Sequence, residues 1–221
     1  MMTKNENLKT YSIKEIPHYH IYGRTDETQN PLPLFWNGSG IEVNVTGSEL
    51  WIDLEVDCSF HEPWIATELN GSLMSRQMLL PGSYSICLFR NMTFGVPKTM
   101  KFFRELQAMS EDDDCHVFVR GFQCDGEFLP VKEHKYKIEF IGDSITSGEG
   151  TYGALPDTDW LAMYMSSSEN YATYTAKALD ADYRLISQGG WGVYCGWDND
   201  VRHNIPSCYE KICGLGFGEV N

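Results

Sequence analysis

The chain changes its hydrophobic period once, near residue 135, and that change constrains its fold more than any other feature. Upstream, apolar and polar residues alternate in short runs at 41–45, 50–56 and 84–89. A further run at 64–69 is followed by Asn70-Gly71, the dipeptide that best suits a two-residue hairpin because both positions accept positive φ. Residues 78–80 lead into Pro81-Gly82, and 116–119 and 128–131 read as closing strands. A period of two with turn residues between runs, and no sustained helical period, predicts an antiparallel β-sandwich over 1–134, with a jelly roll as the expected form.

From residue 137 the pattern becomes strand, helix, strand. Residues 137–141 are a buried-type strand. Residues 170–179 predict a helix with Tyr171, Tyr174, Ala178 and Leu179 on one face, and 182–186 a second strand. A βαβ unit makes the sheet parallel and its crossover right-handed. Loops after both strands then emerge at their carboxyl ends, where open α/β sheets place their sites. The expected architecture is a two-domain α+β chain: a sandwich over 1–134, a linker at 130–135, and a flavodoxin-like parallel-sheet domain over 135–221. The 85 residues from 137 to 221 fall below the roughly 100–150 of a typical domain, so the α/β part is expected to be incomplete.

Composition narrows the function classes. A hydrophobic content of 42% and an aromatic content of 13% belong to a globular chain. A formal net charge of −14 opposes binding to a nucleic-acid backbone or an anionic membrane surface. The seven cysteines form an odd set with no C-x-x-C pair, which excludes zinc-type spacing and a complete disulfide framework. The polar N-terminus has no apolar core of a secretory signal, and no run reaches transmembrane length. A cytoplasmic chain with reduced thiols is the expectation.

The chemistry is carried by Gly142-Asp143-Ser144 at the end of the first α/β strand. A serine two residues past a strand end stands clear of the sheet, where a base can deprotonate it for attack on a carbonyl. The small Gly142 allows a substrate or a second loop to approach the strand end. The following Ile145-Thr-Ser-Gly-Glu-Gly150 fits a helix N-terminus, whose free N–H groups help hold an oxyanion. A turn capped by Asp143 and Ser144 is the structural alternative. Beyond the second strand, Gly189-Gly190-Trp191-Gly192 can present backbone N–H groups to a tetrahedral oxyanion, or serve only as a flexible turn. Together the two loops favour a site.

These blocks resemble the first two of the SGNH (GDSL-type) hydrolases. The stretches Lys137-Ile-Glu-Phe-Ile-Gly-Asp-Ser-Ile-Thr-Ser-Gly-Glu-Gly150 and Ile186-Ser-Gln-Gly-Gly-Trp-Gly192 are closer to one branch, carbohydrate esterase family two, the acetyl-xylan-type deacetylases with an N-terminal jelly roll. Gly23-Arg-Thr25, Leu34-Phe-Trp-Asn-Gly-Ser-Gly40 and Lys135-Tyr-Lys-Ile-Glu139 are also similar to that branch, so the resemblance covers nearly the whole chain. It implies Ser144 as nucleophile with Asp143 beside it, Gly190 as an oxyanion donor and Trp191 as a wall for a sugar ring. It further implies an acetylated carbohydrate as substrate and no metal or organic cofactor.

The family's third block, Gly-x-Asn-Asp, and its terminal Asp-x-x-His, which supplies the general base, have no clear counterpart after the second strand. The chain looks truncated relative to that family. One segment, Trp197-Asp-Asn-Asp-Val-Arg-His203, contains an Asp-x-x-His from Asp200 to His203, and His203 is the only histidine after Ser144. It is the candidate base, with a capped polar loop as the alternative. Gly148-Glu-Gly-Thr-Tyr-Gly153 matches G-x-G-x-x-G without a following helix, so dinucleotide binding is not expected. Glu111, Asp112, Asp113 and Asp114 read as a solvated turn or a weak calcium site. His18 and His20 read as surface or cleft-edge residues near Tyr22, and Trp36, Trp51 and Trp64 as sandwich core rather than a sugar platform. The functional expectation is a serine esterase removing O-acetyl groups from carbohydrate, possible as an inactive remnant. The alternatives are a non-catalytic carbohydrate-binding sandwich, or a fragment whose open apolar sheet edge favours a homodimer.

Overall fold

The computed structural model describes residues 4–109, 112, 114–155 and 159–215. Eleven strands come first: β1 (Lys9–Ser12), β2 (His20–Tyr22), β3 (Leu32–Leu34), β4 (Gly40–Val45), β5 (Leu50–Asp57), β6 (Trp64–Leu69), β7 (Ser72–Met78), β8 (Gly82–Phe89), β9 (Lys98–Arg104), β10 (His116–Cys124) and β11 (Phe128–Leu129). They form two antiparallel sheets. One runs β1-β10-β5-β8 with β3 also on β10; the other runs β11-β4-β9-β6-β7 with β2 on β4. On β5 buried and half-buried residues alternate, so one face of that sheet is turned inward. Leu50, Ile52 and Leu54 meet Ile41, Val43 and Phe102 from the other sheet in one buried cluster. Each such side chain contributes about 1.5–3 kcal/mol by leaving water.

The turn residues behave as the sequence suggests. Asn70 and Gly71 both take positive φ, 50° and 81°, and pair Leu69 with Ser72 across the β6–β7 hairpin. The residues before Pro81-Gly82 belong only in part to a strand, since Met78 ends β7. Strand β9 lies in the middle of its sheet although its sequence, Lys-Thr-Met-Lys-Phe-Phe-Arg, does not alternate.

A two-stranded parallel sheet follows, formed by β12 (Tyr136–Gly142) and β13 (Ala181–Ser187). Helix α1 (Ser144–Ser147) and helix α2 (Tyr171–Leu179) lie between them in sequence, and helix α3 (Ile205–Cys208) comes after. Asn170 caps α2 by accepting from the Thr173 N–H, and Asp180 ends it in the left-handed conformation. The expected apolar face of α2 is corrected. Tyr171, Tyr174, Ala178 and Leu179 are exposed, whereas Ala172, Thr173 and Ala176 are buried. Small residues let the helix lie close to the sheet. The Thr173 hydroxyl is satisfied there by donating to the Ser167 carbonyl at 2.5 Å and accepting from the Tyr183 hydroxyl at 3.0 Å.

The α/β part packs on the outer face of the β4–β9 sheet. The buried Lys101 ammonium lies 3.7 Å from the Tyr22 ring centre and donates to the Tyr183 hydroxyl at 3.2 Å. Trp36 is not sandwich core: it joins Phe35, Ile186, Trp191 and Ile205 in a second buried cluster across the seam. Trp51 and Trp64 are half-buried and lie outside the sandwich core; Trp64 packs beside the cluster of Leu106, Met109, Ala162 and Met165. None of the seven cysteines is in a disulfide. Among the described residues no helix is long and apolar enough to cross a membrane.

Candidate active site

Register creates the site. Strands β12 and β13 pair in parallel from Tyr136–Ala181 through Gly142–Ser187, so both end at the same level. Two residues beyond Gly142 comes Ser144, the first residue of α1; two and three residues beyond Ser187 come Gly189 and Gly190. Ser144, Gly189 and Gly190 line one cleft of about 470 Å³ together with Met109, Glu149, Trp160 and Trp197.

The tight turn explains the local sequence. A Cβ on Gly142 would sit 2.2 Å from the Thr146 hydroxyl, so what approaches the strand end is the chain's own helix, not a second loop. Asp143 is the N-cap of α1, its carboxylate accepting the Ile145 N–H at 3.0 Å. Its role in the structure is to start the helix. Gly148 closes α1 with φ 84°, and a Cβ there would meet the Ser166 carbonyl oxygen at 2.0 Å. That contact also accounts for the G-x-G-x-x-G match, whose first glycine ends a helix instead of opening one.

The N–H groups of Ser144 and Gly190 find no acceptor among the described residues. For Ser144 this follows from its place at the helix start. Gly190 has φ 76°, and a Cβ there would lie 2.5 Å from Trp197 Cδ1. Its carbonyl accepts from the Trp197 N–H at 2.7 Å, which folds the 190–197 loop back over the cleft. Two free backbone donors beside a half-buried serine are the elements that stabilise a tetrahedral oxyanion.

The other expected residues are placed elsewhere. Trp191 is 7% exposed and packs on Phe35, Trp36 and Ile186 instead of lining the cleft. Trp160 and Trp197 are the indoles at the cleft, 41% and 84% exposed. His203 is not brought to Ser144's cleft. Its ring stacks on Trp191 at 5.2 Å, and its Nδ1 lies 3.9 Å from carboxylate oxygens of both Asp198 and Asp200. Among the described residues no histidine lines the cleft. Asp198, Asp200 and His203 each offer a ligand atom within 4.8 Å of the others and are the residues that could hold an ion. Asp200, however, is already engaged by the Arg202 guanidinium, whose hydrogen bonds hold its carboxyl far below the usual range.

The sandwich contributes more to the site than the sequence indicates. Glu105, fully buried just past β9, accepts from Arg76 Nε at 2.8 Å, from the Ser168 N–H at 2.9 Å and from the hydroxyls of Ser166, Ser167 and Ser168. Ser166 in turn donates its N–H to the Gly148 carbonyl at 3.0 Å, at the end of α1. Within the acidic run, Glu111 and Asp113 lie outside the described residues. Asp112 is buried and accepts the N–H groups of Ser59, Phe60 and His61. Burial raises its carboxyl, but those bonds outweigh it and hold the group below its ordinary value. The anchored loop sets His61 edge-on to Trp160 at 5.1 Å, supporting that wall of the cleft. His20 contacts Asp182 at 3.2 Å near Tyr22, at a cleft of about 740 Å³ also lined by His18. That cleft is at the amino ends of β12 and β13, away from Ser144.

No family model matches the chain. It is 27% identical over 205 residues to an acetylxylan esterase/glucomannan deacetylase of Cellvibrio japonicus, a match covering 90% of this chain and 54% of that protein. Among solved structures, the acetyl xylan esterase Est2A from the rumen bacterium Butyrivibrio proteoclasticus is 59% identical with a TM-score of 0.92, covering 96% of this chain and 57% of that one. A family two carbohydrate esterase from Cellvibrio japonicus, 24% identical, has a TM-score of 0.82, covering 97% and 63%, and shares the fold. The homologues of this chain are thus acetylxylan esterases and family two carbohydrate esterases. The chain spans about half the length of that acetylxylan esterase/glucomannan deacetylase.

Proposed function

We propose that this chain carries the nucleophile and oxyanion donors of an SGNH-type serine esterase that removes O-acetyl groups from carbohydrate. The observation that supports this most is the pairing of Gly142 with Ser187, which sets Ser144 and Gly190 in one cleft with both N–H groups free. In this reading Ser144 Oγ attacks the acetyl carbonyl while a histidine takes its proton. The N–H groups of Ser144 and Gly190 hold the oxyanion, the sugar hydroxyl leaves with the proton, and water then releases acetate from the acyl-serine. Asp143 serves this chemistry by capping α1, and His203 is a base only if its loop turns from Trp191 toward the cleft.

The exposed indoles of Trp160 and Trp197 suit the apolar face of a sugar ring, the part first assigned to Trp191. The names of the relatives support an acetylated polysaccharide as partner. In the same reading the two facing sheets are a jelly roll and residues 135–221 the first part of an SGNH-type α/β domain. The test is hydrolysis of p-nitrophenyl acetate and acetate release from acetylated xylan by wild type and Ser144→Ala. The expected outcome is activity in the wild type and its loss in Ser144→Ala. Equal rates in both proteins would remove the esterase reading.

A further inference from the structure

We infer that Asn37, a residue of the sandwich, is a positioning residue that fixes the nucleophile helix relative to the oxyanion loop; the inference rests on the esterase reading above. Asn37 lies in the turn between β3 and β4 and is completely buried. Its side chain touches both halves of the candidate site. The amide oxygen accepts from the Ser187 hydroxyl at 3.0 Å, and the amide nitrogen donates to the Thr146 carbonyl at 3.4 Å. Ser187 ends β13, three residues before Gly190. Thr146 belongs to the helix that Ser144 begins. The Ser147 hydroxyl closes the ring by donating to the Ser187 hydroxyl at 2.9 Å, and Asn170 donates to the same Thr146 carbonyl at 2.8 Å.

The base of Asn37 is held rigidly by the sandwich. The Gly38 N–H donates to the Arg104 carbonyl at 2.7 Å, and the Ser39 N–H to the Trp36 carbonyl at 3.0 Å. Arg104, itself fully buried, clamps the Leu34 and Cys115 carbonyls at 3.1 and 2.8 Å. Gly38 presses on β13 so closely that a Cβ would lie 3.3 Å from Leu185 Cδ1. A primary amide is suited to this position because it presents an acceptor and a donor in one plane, one for each loop.

Stability alone does not call for this arrangement. Buried polar groups gain little over well-packed apolar ones, and each member is costly if left unpaired. What a satisfied network supplies is a single geometry. Here the fixed quantity is the separation between the Ser144 hydroxyl and the Gly190 N–H, on which oxyanion stabilisation depends.

The experiment measures kcat and KM for p-nitrophenyl acetate in wild type, Asn37→Ala, Ser187→Ala and the double variant, with Ser144→Ala as blank. Either single substitution is expected to lower kcat by roughly tenfold or more while KM stays within about threefold. The double variant is expected to lose little beyond the worse single, because amide and hydroxyl act as one unit. A folded Asn37→Ala that keeps kcat within about twofold, or a double variant whose losses multiply, overturns the assignment. Should Asn37→Ala not fold, Asn37→Asp is read in the same assay; it keeps the acceptor for Ser187 but sets an oxygen against the Thr146 carbonyl. If wild type and Ser144→Ala hydrolyse equally, the esterase reading fails, and amide hydrogen exchange decides the positioning role. Faster exchange in both 144–149 and 188–191 of the Asn37 variant, with β5 and β10 unchanged, supports it. Faster exchange in only one segment, or in neither, rejects it.

Discussion

Replacing Glu105 by glutamine tests whether the sandwich holds the site loop by a buried charge. The carboxylate has no exposed surface, and its partner Arg76 is 14% exposed, so solvent screens the pair little. Its two oxygens receive the Arg76 guanidinium, one backbone N–H and three serine hydroxyls. Glutamine keeps the volume and one acceptor oxygen. It puts an NH2 group where donors already point, and leaves Arg76 without its counter-charge. Hydrogen bonds to charged groups contribute about 1.5–3 kcal/mol each, and breaking one partner of a buried pair costs about 3–5 kcal/mol. With one oxygen retained, a loss of about 3 kcal/mol is expected, or about 6–12 °C in Tm for a chain of this length. Urea unfolding followed by tryptophan fluorescence measures it. The exposed pair Arg120–Glu55, at 2.5 Å with side chains 55% and 45% exposed, is the control. Glu55→Gln is expected to change stability by less than about 1 kcal/mol. A Glu105→Gln effect no larger than the control would refute the buried-charge argument.

Gly190→Ala brings together two costs, a left-handed backbone at φ 76° and a Cβ 2.5 Å from Trp197 Cδ1. Turnover of p-nitrophenyl acetate is expected to fall at least about tenfold, with a stability loss of about 1–2 kcal/mol; unchanged turnover would show that Gly190 is no oxyanion donor. Glu139 gives a pH dependence. Burial raises its carboxyl, but the hydrogen bond from Tyr209 and the nearby Arg184 and Arg24 outweigh this and hold it below its ordinary value of 4.5. A carboxyl depressed by folding adds stability above its unfolded value, and the addition is lost as pH falls through the folded one. Thermal melts from pH 6 to pH 3 are therefore expected to fall less steeply below about pH 4.5 in Glu139→Gln than in wild type. Parallel curves would contradict this linkage.

Strands β5 and β8 and the β6–β7 hairpin were legible because alternation and turn chemistry act locally. So was the serine turn, whose glycine and cap are local requirements. Strand β9 was hidden because its face toward the α/β part carries Lys101, and its ends carry Lys98 and Arg104. These buried charges are satisfied in part by distant groups: the Gly47 carbonyl for Lys98, and the Leu34 and Cys115 carbonyls for Arg104. The face of α2 was misread for a related reason. Tyr171 and Tyr174 carry more apolar surface than Ala172 and Ala176, but close packing on the sheet selects size over hydrophobicity. Trp191 and Trp197 are six residues apart in one loop, and nothing local tells which indole turns inward. The deciding contact is with Phe35 and Trp36, far upstream.

That contact also bears on what the boundary near residue 135 means. The change of period there is a change in backbone pairing, from antiparallel to parallel, and it is visible because pairing imposes periodicity. Cohesion follows other rules. Trp36, 1% exposed, is buried in one cluster with Ile186 and Trp191, and a tryptophan buries about 150–250 Å², or about 4–6 kcal/mol at 25 cal/mol per Å². Ion pairs such as Arg24–Glu139 at 3.1 Å and Lys177–Glu68 at 2.6 Å cross the same seam. Asn37 and Glu105 cross it with buried polar side chains that bond to Thr146, Ser187 and the serines at 166–168. The sandwich is therefore one wall and one foundation of the candidate site, because the serine helix and the glycine loop each rest on it from behind. A break in local pattern marks where the chain changes its way of pairing; the chemistry sits where the two patterns are packed together.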